Sequence, residues 1–498
     1  MTVSKFYVTT PIYYVNDRPH LGHSYTAIAA DILARYQRLT HKKVFFLTGT
    51  DEHGAKIEAI AQKNNKTPKE LADENSEAFR KNWKLLNISF DKYIRTTDPG
   101  HVLAVQKALQ KLYNKGIIYK GEYEGLYCVG CEQYKTESDL VNGECPDHKV
   151  KPQLVKEESY LFKLSSFEKK LKSKIESKEL GIYPKEKRNE VISFLEKGLK
   201  DISISRKNVK WGVPLPFNSD FTAYVWIDAL LNYLTGLGWK GDLELSSFWP
   251  PEVQLMAKDI LRIHSTIWPA LLLALDIPLP QTIFAHGYFT INGQKMSKSL
   301  GNVIWPEELV KKFGADATRY LLISACPFGK DGDLSLDKLE EKYNSDLANG
   351  IGNLTNRILT MLENKLNGVV PKVLNHIPNS LTGLIEDYDL LFYRMSLDEI
   401  TKRLMDICLE LDKRIDQESI YRLDSDRFSK EIYSLVESLR IWAWLAMPFM
   451  PETSDSIFEK LGLDIGEEKD KSLYSAMEWG GIKTGTRINK GDVLFPRL

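Results

Sequence analysis

"KFYVTTPIYYVNDRPHLGHSYTAIAADILARYQRLTHKKVFFLTGTDEHG", residues 5–54, decides how this chain folds. Its opening, "SKFYVTTPIYYV", is rich in β-branched and aromatic residues and predicts a strand. From Ser24, "SYTAIAADILARYQRL" carries Ile28, Ile32, Leu33 and Tyr36 at helical spacing, and "KKVFFLTGTDEHG" returns to strand composition. Strand, loop, helix and strand in that order is the unit of a parallel α/β sheet, where ligands bind at the carboxyl ends of the strands. "PHLGH", Pro19 to His23, lies at the first such end. A glycine at a strand-to-helix turn lets a ligand approach the backbone, and the helix N-terminus favours phosphate. The imidazoles of His20 and His23 can donate hydrogen bonds to charge building on a phosphoryl group. Taken alone, the same residues also fit a surface turn with incidental histidines, so a second motif must decide.

Working outward, 498 residues are enough for about three domains, and one shared core is not expected. With 67 basic against 67 acidic residues, net charge alone does not point to nucleic acid. There is no apolar run of about 18 residues and no small-residue cleavage site after "MTVSKFYVTTPIYY", so a cytoplasmic protein with no membrane partner is expected. Residues 1–115 read as the first half of a parallel-sheet catalytic domain, 116–222 as an insertion of short strands and lysine-rich segments, and 223–290 as the second half of the sheet. Residues 291–343 carry a second motif, and 344–498 show helical patterns interrupted by "NGVVPKVLNHIPNS", which predicts an all-α bundle. No internal repeat or low-complexity tract is present.

The second motif is "GQKMSKSLGN", Gly293 to Asn302. Lys295 and Lys298, with a serine between them and glycines on either side, make a cationic loop suited to gripping a triphosphate. By itself it would read as an exposed basic loop; paired with "PHLGH" in one nucleotide fold, coincidence becomes improbable. The insertion carries a third signal. Cys128, Cys131, Cys145 and His148 give Cys-x2-Cys, thirteen residues, then Cys-x2-His, a spacing suited to a closed tetrahedral structural Zn2+ knuckle. The competing reading is three buried free cysteines and a chance histidine. Cys326 and Cys408 stand alone in apolar contexts and read as core.

"HLGH" and "KMSKS" resemble the HIGH and KMSKS signatures of the class I aminoacyl-tRNA synthetases. "TTPIYYVNDRPHLGH", "GTDEHG", "SISRKNVKWGVPLP", "YVWIDALLNY", "HGYFTINGQKMSKS" and the terminal "GDVLFPRL" together resemble the methionyl-tRNA synthetase family, essentially over the full length. The resemblance implies a Rossmann-like catalytic domain with a zinc-bearing insertion and a helical anticodon-binding domain. It implies ATP-dependent activation of L-methionine to methionyl-adenylate, with Mg2+ accompanying ATP, and transfer to methionine tRNA with its CAU anticodon. His20, Gly22, His23, Asp259, His286, Lys295 and Lys298 would contact ATP, with His20, His23, Lys295 and Lys298 catalytic.

The methionine pocket implied by the resemblance comprises Ile12, Tyr14, Asp51, Trp226, Ala229, Leu230, Tyr233, Ile260 and His264. The chemistry agrees: a thioether is a weak acceptor best recognised by shape, aromatic contacts and at most one hydroxyl, while a carboxylate, here Asp51, can hold the α-amino group. Helix capping is the competing role for Asp51, and ordinary core packing for Trp226 and Tyr233. Ala257 stands where the family usually has glycine, so its methyl would crowd the ribose side. Asn353 and Arg357, at i and i+4 in "NLTNR", would read the anticodon, with Tyr421 of "ESIYRL" stacking where the family usually has tryptophan. A solvated polar face is the plainer reading of that pair.

Three rivals remain at this point. Cysteinyl-tRNA synthetases resemble zinc enzymes with a cysteine close before the HIGH motif, which "VTTPIYYVNDRP" lacks. A small nucleotidyltransferase would need neither insertion nor bundle. A non-catalytic tRNA-binding descendant would not need His20, His23, Lys295 and Lys298 intact. Because the sequence stops at the family's common core, a monomer is expected.

Overall fold

The computed structural model describes residues 4–129, 133–135, 137, 140–146, 149–242, 244–295, 303–372 and 377–498, the side chains of 133, 134 and 295 excepted. Its centre is a six-stranded, wholly parallel sheet of β1 (Lys5–Tyr14), β2 (Lys43–Asp51), β3 (Lys92–Arg95), β4 (Gly181–Tyr183), β5 (Val253–Ala257) and β6 (Thr282–His286), in the order β3-β2-β1-β5-β6-β4. β1 is buried along most of its length, as a central parallel strand covered on both faces must be. Register brings strand ends together: Tyr14 pairs with Asp51 and Ala257 with His286. The sheet demands a glycine at Gly49, where a Cβ would lie 2.0 Å from the Ile94 carbonyl oxygen.

The helices that position the site are α1 (Leu21–Leu39), α2 (Ala55–Lys63), α3 (Pro99–Asn114), α4 (Val225–Leu230) and α5 (Asn232–Thr235). Those that join the sheet to the C-terminal bundle are α6 (Ala315–Ile323), α7 (Asn353–Leu366), α8 (Asn379–Tyr393), α9 (Leu397–Gln417), α10 (Ser425–Ala446) and α11 (Pro451–Lys460).

The stretch 116–222 is divided. Segments 118–128, 133–135, 153–162 and 202–203 form a separate antiparallel sheet, whereas β4 adds an edge to the main sheet beside β6. Three residues are too few for a periodicity to reveal them in sequence. Helix runs through the boundary expected at 343: Leu336–Lys342 leads into a π-helical stretch, Tyr343–Gly352, which kinks at the non-helical Gly350 before α7.

The buried apolar residues form three clusters and not one core, but the cluster boundaries do not follow the expected domains. One cluster contains Val8 and Phe46 of the sheet, Ile28 of α1, Tyr320 of α6 and Leu411 and Trp442 of the bundle. The cause is α1, which is buried on nearly every side and therefore needs cover on both the sheet and the bundle faces. Its Tyr36 ring stacks on Phe392 of α8 at 3.8 Å. Asp31 of α1 pairs at 2.7 Å with the fully buried Arg319 of α6, which also donates to the carbonyls of Pro448 (2.8 Å) and Phe449 (2.9 Å) in the turn between α10 and α11. Among the described residues, no helix is long and apolar enough to cross a membrane.

Candidate active site

A cavity of about 670 Å³ opens at the carboxyl ends of β1, β2, β5 and β6, and "PHLGH" forms one wall of it. The spacing of the two histidines has a local cause. His20 is the N-cap of α1 and His23 its third residue, and together they make a reciprocal capping box. The Gly22 N–H donates to His20 Nδ1 (3.1 Å), and the His20 N–H donates to His23 Nδ1 (3.2 Å). A backbone N–H can only donate, so both Nδ1 atoms are acceptors and both neutral rings carry their proton on Nε2. The rings stack at 3.8 Å, and burial together with the neighbouring His20 pushes the His23 pKa well down. A Cβ at position 22 would lie 3.0 Å from His20 Cε1, so glycine is what lets the imidazole fold over the helix end. His286, at the end of β6, accepts from the Thr26 hydroxyl of α1 at Nε2 (2.6 Å) and donates from Nδ1 to the Gly287 carbonyl (2.8 Å). Burial lowers its pKa to about 4, so it stays neutral. Asp259 and Ala257 line the same side; neighbouring Lys258 instead pairs with Asp331 at 2.6 Å.

Every residue expected around methionine lines the cavity: Ile12, Tyr14 and Asp51 from strand ends, Trp226, Ala229, Leu230 and Tyr233 from α4 and α5, and Ile260 and His264 beyond β5. Asp51 does not cap the following helix, because α2 begins at Ala55 behind a Gly54 N-cap without a side-chain bond. His264 donates from Nδ1 to the Ile260 carbonyl (2.9 Å) and accepts the Tyr233 hydroxyl proton at Nε2 (2.8 Å). Burial brings its pKa down to about 4. Tyr233 is therefore cavity wall, and its hydroxyl proton is committed to His264. The buried Trp226 Nε1 has no hydrogen-bond partner among the described residues.

Several groups behind this wall escaped the sequence reading, although the segments of Glu52, His53, Trp211 and Asp228 were quoted. The fully buried Glu52 carboxylate receives Arg95 (2.6 and 2.9 Å), Thr50 (2.6 Å) and Thr97 (2.5 Å). Trp211 Nε1 donates to the Glu52 carbonyl (2.5 Å), and the Gly54 N–H donates to the Trp211 carbonyl (3.0 Å). Asp228 of α4 accepts from His53 Nδ1 (2.7 Å) and His101 Nε2 (2.9 Å), and these partners hold its pKa down to about 2 despite burial. No periodicity in the sequence marks these links. Arg18 also lines the cavity, its guanidinium 3.7 Å from the centre of the Trp305 ring, as do Lys56 and Lys135.

Other expected residues lie apart. The backbone of Gln294–Lys295 forms a short strand against Thr290 and Ile291; the Lys295 side chain and Lys298 lie outside the described residues. So do Cys131 and His148. Cys128, at the end of a strand whose interior positions are partly or fully exposed, and Cys145 are both buried, 1% and 0% exposed. Two buried thiols in so thin a layer fit metal ligation, although among the described residues no three ligating side chains are grouped as a metal site. Asn353 is exposed on the first turn of α7, and one turn on Arg357 is paired with Asp412 and Asp416 of α9. The short turn after α9 presents Tyr421, 44% exposed. Arg357 thus meets the last turns of α9, just before Tyr421 in the chain, and none of the three lines the cavity.

A family profile described as "tRNA synthetases class I (M)" matches residues 6–153 and 148–359. A methionine--tRNA ligase of Caldanaerobacter subterraneus subsp. tengcongensis is 44% identical over 99% of this chain and 79% of its own length. One from Streptomyces coelicolor is 40% identical over 99% of this chain and 96% of its own. The solved structure of Mycobacterium tuberculosis methionyl-tRNA synthetase in complex with methionyl-adenylate superposes with a TM-score of 0.93 at 36% identity, covering 99% of this chain and 100% of that one. With its parallel sheet, its capped histidine pair and these relatives, the chain belongs to the class I tRNA synthetases, in the methionine--tRNA ligase family.

Proposed function

We propose that the cavity activates L-methionine with ATP and that the chain then charges methionine tRNA. The observation that carries this reading is the meeting of two unlike walls at four strand ends: the Nε2–H donors of His20 and His23 on one side, and Asp51 with the Tyr233–His264 pair on the other. The methionine carboxylate attacks the α-phosphorus in line, forming the acyl–phosphate bond of methionyl-adenylate and releasing pyrophosphate. No protein nucleophile is needed. His20 and His23, as neutral donors, stabilise charge on the phosphoryl oxygens, and Lys295 and Lys298 hold the leaving pyrophosphate. Mg2+ accompanying ATP would offset part of the triphosphate charge. His286 and Asp259 bound the nucleoside side, where Ala257 narrows the approach.

Asp51 holds the α-ammonium. Because the Tyr233 hydroxyl proton is committed to His264, the thioether is recognised by shape and by contact with Ile12, Trp226, Leu230 and Ile260. The terminal ribose hydroxyl of the tRNA then attacks the adenylate carbonyl and releases AMP. Asn353, Arg357 and Tyr421 read the CAU anticodon. Cys128, Cys131, Cys145 and His148 hold a structural Zn2+, which braces the thin sheet of the insertion. On this reading 1–115 and 223–290 are the catalytic halves, 116–222 the insertion, 291–343 the KMSKS and stem-contact region and 344–498 the anticodon-binding part of a cytoplasmic monomer.

The test is amino-acid-dependent ATP–pyrophosphate exchange with each of the twenty amino acids, followed by charging of methionine tRNA. Exchange with methionine far above the rest supports the reading. Exchange with another amino acid overturns the specificity, and none at all overturns the activity.

A further inference from the structure

Behind the amino-acid half of the cavity, three buried groups tie together chain segments far apart in sequence. His53 follows Asp51 by two residues at the end of β2, Asp228 lies on α4, and His101 lies near the start of α3. A carboxylate can only accept, so His53 Nδ1–H and His101 Nε2–H both donate to Asp228, at 2.7 and 2.9 Å. With its proton spent there, His101 accepts at Nδ1 from the Thr235 hydroxyl of α5, at 2.7 Å. One imidazole thus fixes α4 against α5, and the other fixes α4 against the strand end that carries Asp51.

Each attachment is stiff. Helical residues two apart point about 200° from one another, so Asp228 anchors the back of α4 while Trp226 and Leu230 face the cavity. Residues 51–54 cannot drift, because Glu52 is clasped by Arg95, Thr50 and Thr97, and Trp211 bonds the main chain on both sides of His53. Tyr233 is held between Asp228 and Thr235, and its carbonyl accepts the Tyr7 hydroxyl at 2.7 Å. All three members of the triad are buried. The distance from Asp51 to the α4–α5 wall is therefore set by hydrogen bonds of fixed length and not by apolar packing alone.

We propose that the His53–Asp228–His101 triad is a positioning device that sets the span between the Asp51 carboxylate and the α4–α5 wall, and thereby the length of amino-acid side chain the cavity accepts. This rests on the reading of Asp51 and the wall given above. Loosening the triad lets the wall move back, so a thioether longer by one methylene loses its penalty. Nothing on the nucleotide side is touched.

Asp228→Asn tests this. It keeps the shape but sets an amide N–H against an imidazole N–H. Methionine and ethionine, which differs by one methylene, are compared by ATP–pyrophosphate exchange, with thermal unfolding measured in parallel. The expected result is a KM for methionine raised about tenfold, a KM for ATP within about threefold, and a methionine-over-ethionine preference in kcat/KM reduced about tenfold. His53→Ala, which removes one bond only, carries the same expectation if Asp228→Asn does not fold. His53→Asn, whose amide nitrogen can take the Nδ1 position, should restore the preference. An unchanged preference, or equal losses for methionine and ATP accompanied by a fall in Tm, overturns the proposal and leaves the general function intact. A wild-type protein without methionine-dependent exchange overturns both.

Discussion

Arg95 and Arg357 are each clasped by two carboxylates, one beside the cavity and one in the bundle, outside the cavity lining. Arg95 binds Glu52, whose side chain is 0% exposed, and reaches Asp73. The partners of Arg357, Asp412 and Asp416, are 35% and 59% exposed. A buried carboxylate stripped of its partner is left as an uncompensated charge, so the first clasp is permanent. A surface pair is worth little and is screened by salt, so the second can be exchanged for another ligand. Around the chemistry the molecule is held rigid, with strand ends, histidine pair and triad fixed by short bonds. At the proposed RNA-reading end the groups are held loosely enough to change partners.

The largest expected effect tests the rigid end. Lys298→Ala and His20→Ala should each slow adenylate formation about a hundredfold or more in single turnover while methionine binding changes little. An unchanged rate for either removes that residue from the chemistry. Next, Arg95→Ala should destabilise the protein by about 3–5 kcal/mol, since it strips the buried Glu52 carboxylate of its charged partner. Arg357→Ala should cost under about 1 kcal/mol in the same unfolding experiment. Its loss should fall on tRNA charging, with KM for tRNA rising, and not on methionine activation; equal effects of the two variants on stability would dissolve the contrast.

A third expectation concerns acid. His264 and His286 have folded pKa values of about 4, below the ordinary 6.5, so the unfolded chain binds more protons between those values. Stability should accordingly fall as pH drops from 6.5 towards 4, and His264→Gln should flatten that part of a Tm-against-pH curve. A curve indifferent to the substitution would mean that His264 is protonated in the fold. The smallest effect should come from Tyr421→Trp, which enlarges the stacking face and should tighten methionine tRNA by less than about tenfold. Tighter binding of tRNAs with other anticodons to the same degree would indicate stacking without reading.

Much of the site was legible because its signals are local. "PHLGH" contains its own geometry: the three-residue spacing that lets both imidazoles face the cavity is also the spacing of a capping box. The strand composition of "IYY" and "LTGTD" placed Tyr14 and Asp51 at strand ends, and parallel sheets bring such ends together. The polar frame behind the wall was not legible. Asp228 meets His53 across 175 residues and His101 across 127, and no window of sequence relates them. The same holds for β4, a three-residue strand recruited from the middle of a presumed insertion, and for the core that α1 shares between sheet and bundle.

The amino-acid sequence by itself determined the strand–helix–strand unit, the place of the histidine pair at its turn and the helical character of the C-terminal part. These depend on backbone periodicity and on neighbours within a turn or two, whereas the wall residues of the cavity were reached through the family resemblance. Only the tertiary structure decided which buried charges are partnered, which tautomer each histidine holds and how far Asp51 stands from α4. Those follow from burial, where every donor must find an acceptor among whatever groups the packing brings to it.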